Sequence, residues 1–360
     1  MIPISKPFIG EEEIQAVKEV LESGMLVQGE KVEKFENEFA KYIGCKYGIA
    51  ISSGTTALQV GLKALGISKG DEVITTPFSF IATANSILYV GGKPVFADIN
   101  PETFNIDPEK IEEKITNKTK AVLIVHLFGN PCEMDEIMKI CKEHDLFLIE
   151  DACQAHGAEY KGKKVGSFGD LSCFSFYATK NMTTGEGGTI LTNNEEIAEK
   201  AKLLRNHGQE KTYEHKILGF NYRMSDIQAA IGLVQLKKLE EMNKKRMENA
   251  KIFNENLSKI SWLKIPFIEK NKKHVFHQYT IKVLNGKRDY VLNKLNERGV
   301  GAKVYYPKPI HLQLVYKKLG YNENLPVSEE IAKQVLSLPV HPLLTKNDLN
   351  KIINEIKLVF

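Results

Sequence analysis

A chain of 360 residues with 42% apolar and 26% charged residues is an ordinary globular protein, long for one hydrophobic core and comfortable for two lobes. The formal charge of +4 comes almost wholly from lysine, with arginine only at Arg205, Arg223, Arg246, Arg288 and Arg298 and no basic block interleaved with aromatics, which argues against a nucleic-acid partner. No stretch approaches the roughly eighteen apolar residues of a membrane span, the amino terminus lacks a signal-peptide pattern, and five scattered cysteines without a CxxC pair read as reduced thiols, so a cytoplasmic location is expected.

From Glu11 to Ser23, Ile14, Val17 and Leu21 fall on one helical face, and Gly24 is a natural stop. A short apolar run, Gly48 to Ile51, then leads into Ser52-Ser53-Gly54-Thr55-Thr56, after which Leu58, Leu62 and Leu65 recur at helical spacing. Two readings fit this junction. Gly54 permits close backbone approach, the threonines offer hydroxyls, and the free amides of a first helical turn attract an anion, which together make a phosphate cup. A Ser53 or Thr55 that merely caps the helix satisfies the same composition.

Strand-like runs at Glu72 to Thr76, Pro94 to Ile99, Ala121 to Leu127 and Leu146 to Asp151 alternate with helical patterns, one of them Met134 to His144 with Ile137, Ile140 and Cys141 on one face. This alternation predicts a largely parallel sheet covered by helices on both sides. Gly169 to Phe176 and Gly188 to Thr192 follow with no helix between them and read as neighbouring strands. A long helix starting near Ser225 becomes strongly charged from Lys237 to Glu248 and bridges a large α/β domain, residues 1–240, to a smaller α+β domain, residues 241–360. In the latter, Val275 to Val283 and Ala302 to Tyr306 are strand-like, and helices are expected over Asp289–Arg298, near Glu329–Leu336 and over Asn347–Val359.

Asp151 ends one apolar run, and Lys180 lies just past another, Cys173-Phe174-Ser175-Phe176-Tyr177. Both stand where the chain leaves a sheet, which is where open α/β sheets place ligands. A lysine amine can form a Schiff base with a cofactor aldehyde, and a carboxylate facing a pyridine nitrogen keeps it protonated so that the ring accepts electrons. Strand-end aspartates and lysines are common, so the pair alone does not decide the chemistry. Gly157 to Lys164 nearly spells a phosphate-binding P-loop, but Lys164 stands where a magnesium-binding Ser or Thr belongs. The histidines form no spaced set with cysteine or acid, so no metal site is expected.

With cup, acid and amine in this order, the chain resembles the DegT/DnrJ/EryC1/StrS family of pyridoxal phosphate (PLP)-dependent sugar aminotransferases. The resemblance runs from Lys6-Pro7-Phe8 through Glu150-Asp151-Ala152-Cys153-Gln154-Ala155-His156-Gly157 and Gly219-Phe220-Asn221-Tyr222-Arg223-Met224 to Leu338-Pro339-Val340-His341-Pro342. Its most specific piece is Phe174 to Gly188, around Lys180. It implies the aspartate aminotransferase fold, PLP fold type I, with a mostly parallel seven-stranded sheet. By position it makes Lys180 the Schiff-base lysine and Asp151 the partner of the pyridine nitrogen, and puts Gln154 near the ring hydroxyl and Phe80 on the ring face. Gly54, Thr55, Thr56 and Ser175 hold the phosphate in the same pattern, with Asn221 reaching it from the other subunit of a homodimer. Lys6, Arg223 and His311 are candidate substrate contacts.

The retained lysine implies amino transfer, from L-glutamate to a nucleotide-linked keto sugar. Thr183-Thr184-Gly185-Glu186-Gly187-Gly188 is similar to members that act at the 4-keto position. The rival readings are elimination or amination of a different cyclic ketone by PLP, and a non-catalytic PLP-binding regulator.

Overall fold

A computed structural model describes residues 1–360. Nine strands are found in the first 192 residues: β1 (Tyr47–Ile51), β2 (Glu72–Thr75), β3 (Lys93–Phe96), β4 (Thr119–Val125), β5 (Phe147–Asp151), β6 (Glu159–Tyr160), β7 (Lys163–Lys164), β8 (Leu171–Ser175) and β9 (Gly188–Thr192). Seven of them form one sheet in the order β1-β9-β8-β5-β4-β2-β3, with β9 antiparallel to both neighbours and every other pairing parallel. β8 and β9 follow one another without a helix and are therefore antiparallel, whereas each parallel neighbour needs a crossover.

The helices in that span are α1 (Glu11–Ser23), α2 (Glu30–Ile43), α3 (Gly54–Ala64), α4 (Ala82–Tyr89), α5 (Pro108–Glu112), α6 (Met134–Glu143) and α7 (Glu195–Arg205), followed by α8 (Asp226–Leu257). Successive strand residues face opposite ways. Ile51, Val73, Leu123 and Ile149 pack under α3 and α7, while Ile74, Val122, Ile124 and Leu148 pack against α6. Ala50, Phe174 and Leu191 meet α2 and α8. Both faces are covered, and the strand ends are left free to carry polar groups. α1 stops at Gly24 because that residue adopts φ 72°, a conformation that favours glycine.

α8 runs 32 residues without interruption, capped by Ser225 and Gln228 in a capping box. Residue 240 lies inside it, so the expected boundary cuts a continuous helix. Along it, Met242 packs in the core around Phe35, Phe39 and Phe174, and Ala250 in the core around Phe253 and Tyr279. Ile2 also departs from the expected division: its amide donates to Gly299 O (2.8 Å), Gly301 N–H donates back to it (2.8 Å), and its side chain joins the small-domain core.

Three expectations for the C-terminal part need correction. Residues 275–278 are not laddered; the strand is Tyr279–Val283, and the preceding amides of Val275 and Gln278 donate to Gly129 O and Phe128 O. The helix near 329–336 is Pro326–Gln334, followed directly by the buried strand Val335–Leu338 on Tyr279–Val283. Ala302 to Tyr306 is not a strand; Lys303 makes a single bridge to Ser337 and the chain then turns onto the large domain, where Tyr305 and Tyr306 pack beside Phe78. The near-P-loop is the β6–β7 hairpin, turning at Lys161 (φ 50°) and Gly162 (φ 80°), with no helix behind it to bind phosphate.

Candidate active site

A cavity of about 480 Å³ opens at the carboxyl ends of β5 and β8, lined by Gly54, Thr55, Phe80, Asp151, Lys180 and Tyr306 among others. A larger groove of about 910 Å³ between α1, α2 and α8 is walled by surface lysines and glutamates and holds none of these groups. Size does not locate chemistry here; convergent polar groups do.

At the floor, Asp151 is 4% exposed. Thr83, on α4, donates its hydroxyl to Asp151 Oδ2 at 2.8 Å, and the Cys153 amide donates to Oδ1 at 3.2 Å. These two donors fix the plane of the carboxylate. Thr83 in turn lies 3.1 Å from the Ser79 hydroxyl, so α4 reaches the sheet through a short polar chain. Thr83→Val keeps the shape and removes the donor. Because a hydrogen bond to a charged group contributes about 1.5–3 kcal/mol, turnover is expected to fall roughly ten- to a hundredfold with the fold intact, as steady-state rates and circular dichroism would show; an unchanged rate refutes the role.

Lys180 comes into the cavity from the loop after β8, its amide tied to Tyr177 O (2.9 Å) and its side-chain amine without a hydrogen-bond partner in the chain. Burial lowers its pKa below the ordinary lysine value, opposed by Cys153 and Asp151. The loss of hydration therefore favours the neutral amine, the form that is a nucleophile and a base.

At the other end, the two readings of the Ser53–Thr56 junction both hold. Ser53 caps α3 by accepting from the Thr56 amide (3.2 Å), and the Thr56 hydroxyl returns to the Ser53 amide (3.0 Å). Thr56 is thereby committed to the cap and is absent from the cavity wall, whereas Thr55 and the unpaired amides of Gly54 and Thr55 face the cavity end of the helix. A Cβ on Gly54 would stand 2.7 Å from Ser175 Cβ and 3.1 Å from Cys153 Sγ, so only glycine lets the helix start close against β8. Ser175 Oγ lines the same end and accepts from the Tyr177 amide at 3.3 Å.

Phe80 is 55% exposed, an unusual state for an aromatic side chain on the wall of a cavity. Gln154 accepts from the Phe128 amide (2.9 Å) and donates to the Tyr306 hydroxyl (3.2 Å), and the Tyr306 ring lies 6.5 Å from that of Phe80. Aromatic face, carboxylate, unpartnered amine and open helix amides thus fit the ring, pyridine nitrogen, aldehyde and phosphate of PLP. Thr83, His277, Lys303 and Tyr306 are cavity residues that the sequence motifs did not single out. Thr83 had a usable signal, since it lies three residues after Phe80, which the resemblance puts on the ring face.

Of the remaining candidates, Lys6, Asn221 and Arg223 are exposed and outside the cavity of their own chain. Asn221 is bridged to Asn206, whose side-chain oxygen accepts from Arg223 at 3.0 Å. His311 is a correction: it is fully buried, its Nε2 lies 3.1 Å from Glu329 Oε1, and its ring packs on Phe96. It fixes the Pro326–Gln334 helix to the large domain and has no surface for a substrate.

The DegT/DnrJ/EryC1/StrS aminotransferase family model matches residues 7–357. The chain belongs to this family. GDP-perosamine synthase of Caulobacter vibrioides is 41% identical, with 90% of this chain and 89% of that protein covered. The dTDP-3-amino-3,6-dideoxy-alpha-D-galactopyranose transaminase of Aneurinibacillus thermoaerophilus is 40% identical over 95% of this chain and 93% of its own. Among solved structures, NtdA of Bacillus subtilis with bound PMP (pyridoxamine phosphate) superposes with a TM-score of 0.91 at 37% identity, covering 98% of this chain and 82% of that one. This DegT-family aminotransferase is a PLP-dependent enzyme of fold type I.

Proposed function

We propose that this aminotransferase moves the amino group of L-glutamate to a nucleotide-linked keto sugar, at the 4-keto position, and makes a nucleotide-linked amino sugar. The observation that carries the reading is the meeting of Lys180 with Asp151, Phe80 and the Gly54–Thr55 amides in one cavity, on a chain whose relatives are named for nucleotide-sugar amination.

Bound PLP supplies an aldehyde that takes up the amino group and a protonated ring that accepts the electron pair left when the donor's α-proton departs. Asp151, held by Thr83 and the Cys153 amide, would keep the pyridine nitrogen protonated. Phe80 would cover the ring face, Gln154 would stand by the ring hydroxyl, and Gly54, Thr55 and Ser175 would hold the phosphate. Lys180 Nζ takes the α-proton from the amino acid and, in the return half, places a proton on the sugar carbon that has gained nitrogen. The exposed position of Asn221 supports its use by a second subunit of a homodimer, where it would complete the phosphate site.

The 4-keto preference rests on Thr183 to Gly188, and the 3-amino product named for one relative makes the regiochemistry the point to test. The protein loaded with PLP would be given 15N-labelled L-glutamate and a panel of UDP-, dTDP- and GDP-linked 4-keto and 3-keto sugars, with products followed by mass spectrometry and NMR. Label at carbon 4 is the expected result. Label at carbon 3 overturns the regiochemistry, and no amino sugar from any member of the panel overturns the reading.

A further inference from the structure

Once the groups facing PLP are set aside, the rest of the cavity wall comes from the C-terminal part of the chain: His277, Gln278, Lys303, Tyr305 and Tyr306. This wall has to meet the substrates. Both substrates of the proposed reaction are anions, the donor through its carboxylates and the acceptor through its diphosphate, and in a two-step transfer they occupy the cavity in turn.

On this chain's own cavity wall the cations that can serve them are few, Lys6 and Arg223 lying outside it. Lys180 is used by the chemistry. His277 is 7% exposed, and burial, with Lys180 and Arg246 nearby, pushes its pKa well below the ordinary histidine range, so it offers a hydrogen bond and no charge. Arg246 is 4% exposed, donates to Phe276 O at 3.3 Å and is not part of the wall. Lys303 remains. Its backbone is fixed by reciprocal hydrogen bonds with Ser337 (3.1 and 2.8 Å), its side chain is exposed, and it takes part in none of the chain's ion pairs or side-chain hydrogen bonds, although most of the buried or half-buried lysines, such as Lys272, Lys273 and Lys282, are paired with glutamates. Glu186, the other acid on this wall besides Asp151, is itself exposed and makes no ion pair with Lys303.

We propose that Lys303 is a substrate-binding cation of this site: a rigidly rooted, flexible-ended ammonium that pairs with an oxyanion of the substrate, a carboxylate or a diphosphate. This rests on the proposed reaction, because that reaction is what brings anions to the wall. A lysine suits the task better than an arginine would, since a compact charge on a four-carbon stem has no fixed fork geometry and can meet a planar carboxylate and a tetrahedral phosphate alike. Being solvent-exposed, the contact is screened by salt and should weaken as ionic strength rises.

The test uses the full-length protein loaded with the pyridoxamine form of the cofactor, and calorimetric titration with glutarate and with inorganic diphosphate at low and high salt. Lys303→Met is expected to weaken at least one of the two anions about tenfold, equivalent to about 1.4 kcal/mol, and to abolish its salt dependence, while Lys303→Arg keeps most of the affinity. A shift confined to one anion assigns Lys303 to the substrate that carries it. Equal affinity and equal salt dependence in wild type and Lys303→Met for both anions overturns the proposal. Failure of the underlying reading looks different: the wild-type protein with PLP would then show no change in visible absorbance with L-glutamate, whatever Lys303 does.

Discussion

Replacing Lys180 with alanine is expected to lower amino transfer by roughly four orders of magnitude or more, while leaving a folded protein that still takes up pyridoxamine phosphate. The size of the loss follows from the neighbours, none of which can take over as a base. Burial raises the Cys153 thiol well above its usual range, with Asp151 adding to the effect, and burial likewise raises the Tyr306 phenol, so neither is ionised near neutrality. His277 is a much weakened base for the reason that makes it uncharged. Asp151 is engaged by Thr83 and the Cys153 amide. The measurement is the absorbance of bound PLP before and after L-glutamate, in wild type and variant, with circular dichroism as the check on folding. Steady-state transamination by Lys180→Ala at even one per cent of the wild-type rate would exclude Lys180 as the proton carrier.

Glu150→Ala is expected to be the most destabilising single substitution near the site, although Glu150 faces away from the cavity. Its carboxylate is fully buried and accepts from the amides of Gly166 (2.7 Å), Phe168 (2.8 Å) and Gly169 (2.8 Å), and from His126 Nε2 (3.0 Å). The Cys132 amide donates to His126 Nδ1, which assigns the ring proton to Nε2 and makes it the donor. Alanine leaves two buried and two part-buried donors without an acceptor, a cost of about 3–5 kcal/mol, or a fall in melting temperature on the order of 10 °C.

The pH dependence has a definite sign. Burial alone would raise the Glu150 pKa, but the His126 hydrogen bond and the amides outweigh it and hold the carboxyl below the ordinary glutamate range. A depressed folded pKa stabilises above the unfolded value and loses that contribution as pH falls through the folded one. The gap in melting temperature between wild type and Glu150→Ala should therefore be full at neutral pH and narrow on acidification; a constant gap would show that the carboxylate's charge is not what the turn needs. The 166–169 turn feeds β8, which delivers Ser175 and, five residues on, Lys180, so the variant should also lose activity beyond its loss of folded protein.

The central sheet was legible because buried strands advertise themselves: Leu146 to Ile149 is an unbroken apolar run, and Leu171 to Phe176 is broken only by the small Ser172 and Ser175. α2 is harder to see, since Glu30, Lys31, Glu33, Lys34 and Glu36 dominate its composition while Val32, Phe35, Phe39, Ala40 and Ile43 carry the buried face. The C-terminal segments misled for a different reason. Ala302 to Tyr306 has the apolar and aromatic content of a strand, but its aromatics are packing on another domain and roofing a cavity, a tertiary use that local pattern does not encode. His311 shows the same limit in reverse, a polar candidate substrate contact whose partner, Glu329, is too far along the chain to be inferred. Lys180 and Asp151 were accessible because chemistry at strand ends has a positional rule; Lys303 and His277 lie on irregular backbone that has none.

The return of Ile2 to the C-terminal core bears on the order in which the molecule can be made. Chains emerge from the ribosome amino end first and fold by domains, so the sheet with Asp151 and Lys180 can assemble while Val291, Leu295 and Val300, the residues that Ile2 needs, are still untranslated. The hydrogen bonds of Ile2 to Gly299 and Gly301 can therefore form only after residue 301 has appeared, well after the last strand of the sheet, and they add a late tie between residue 2 and the C-terminal core.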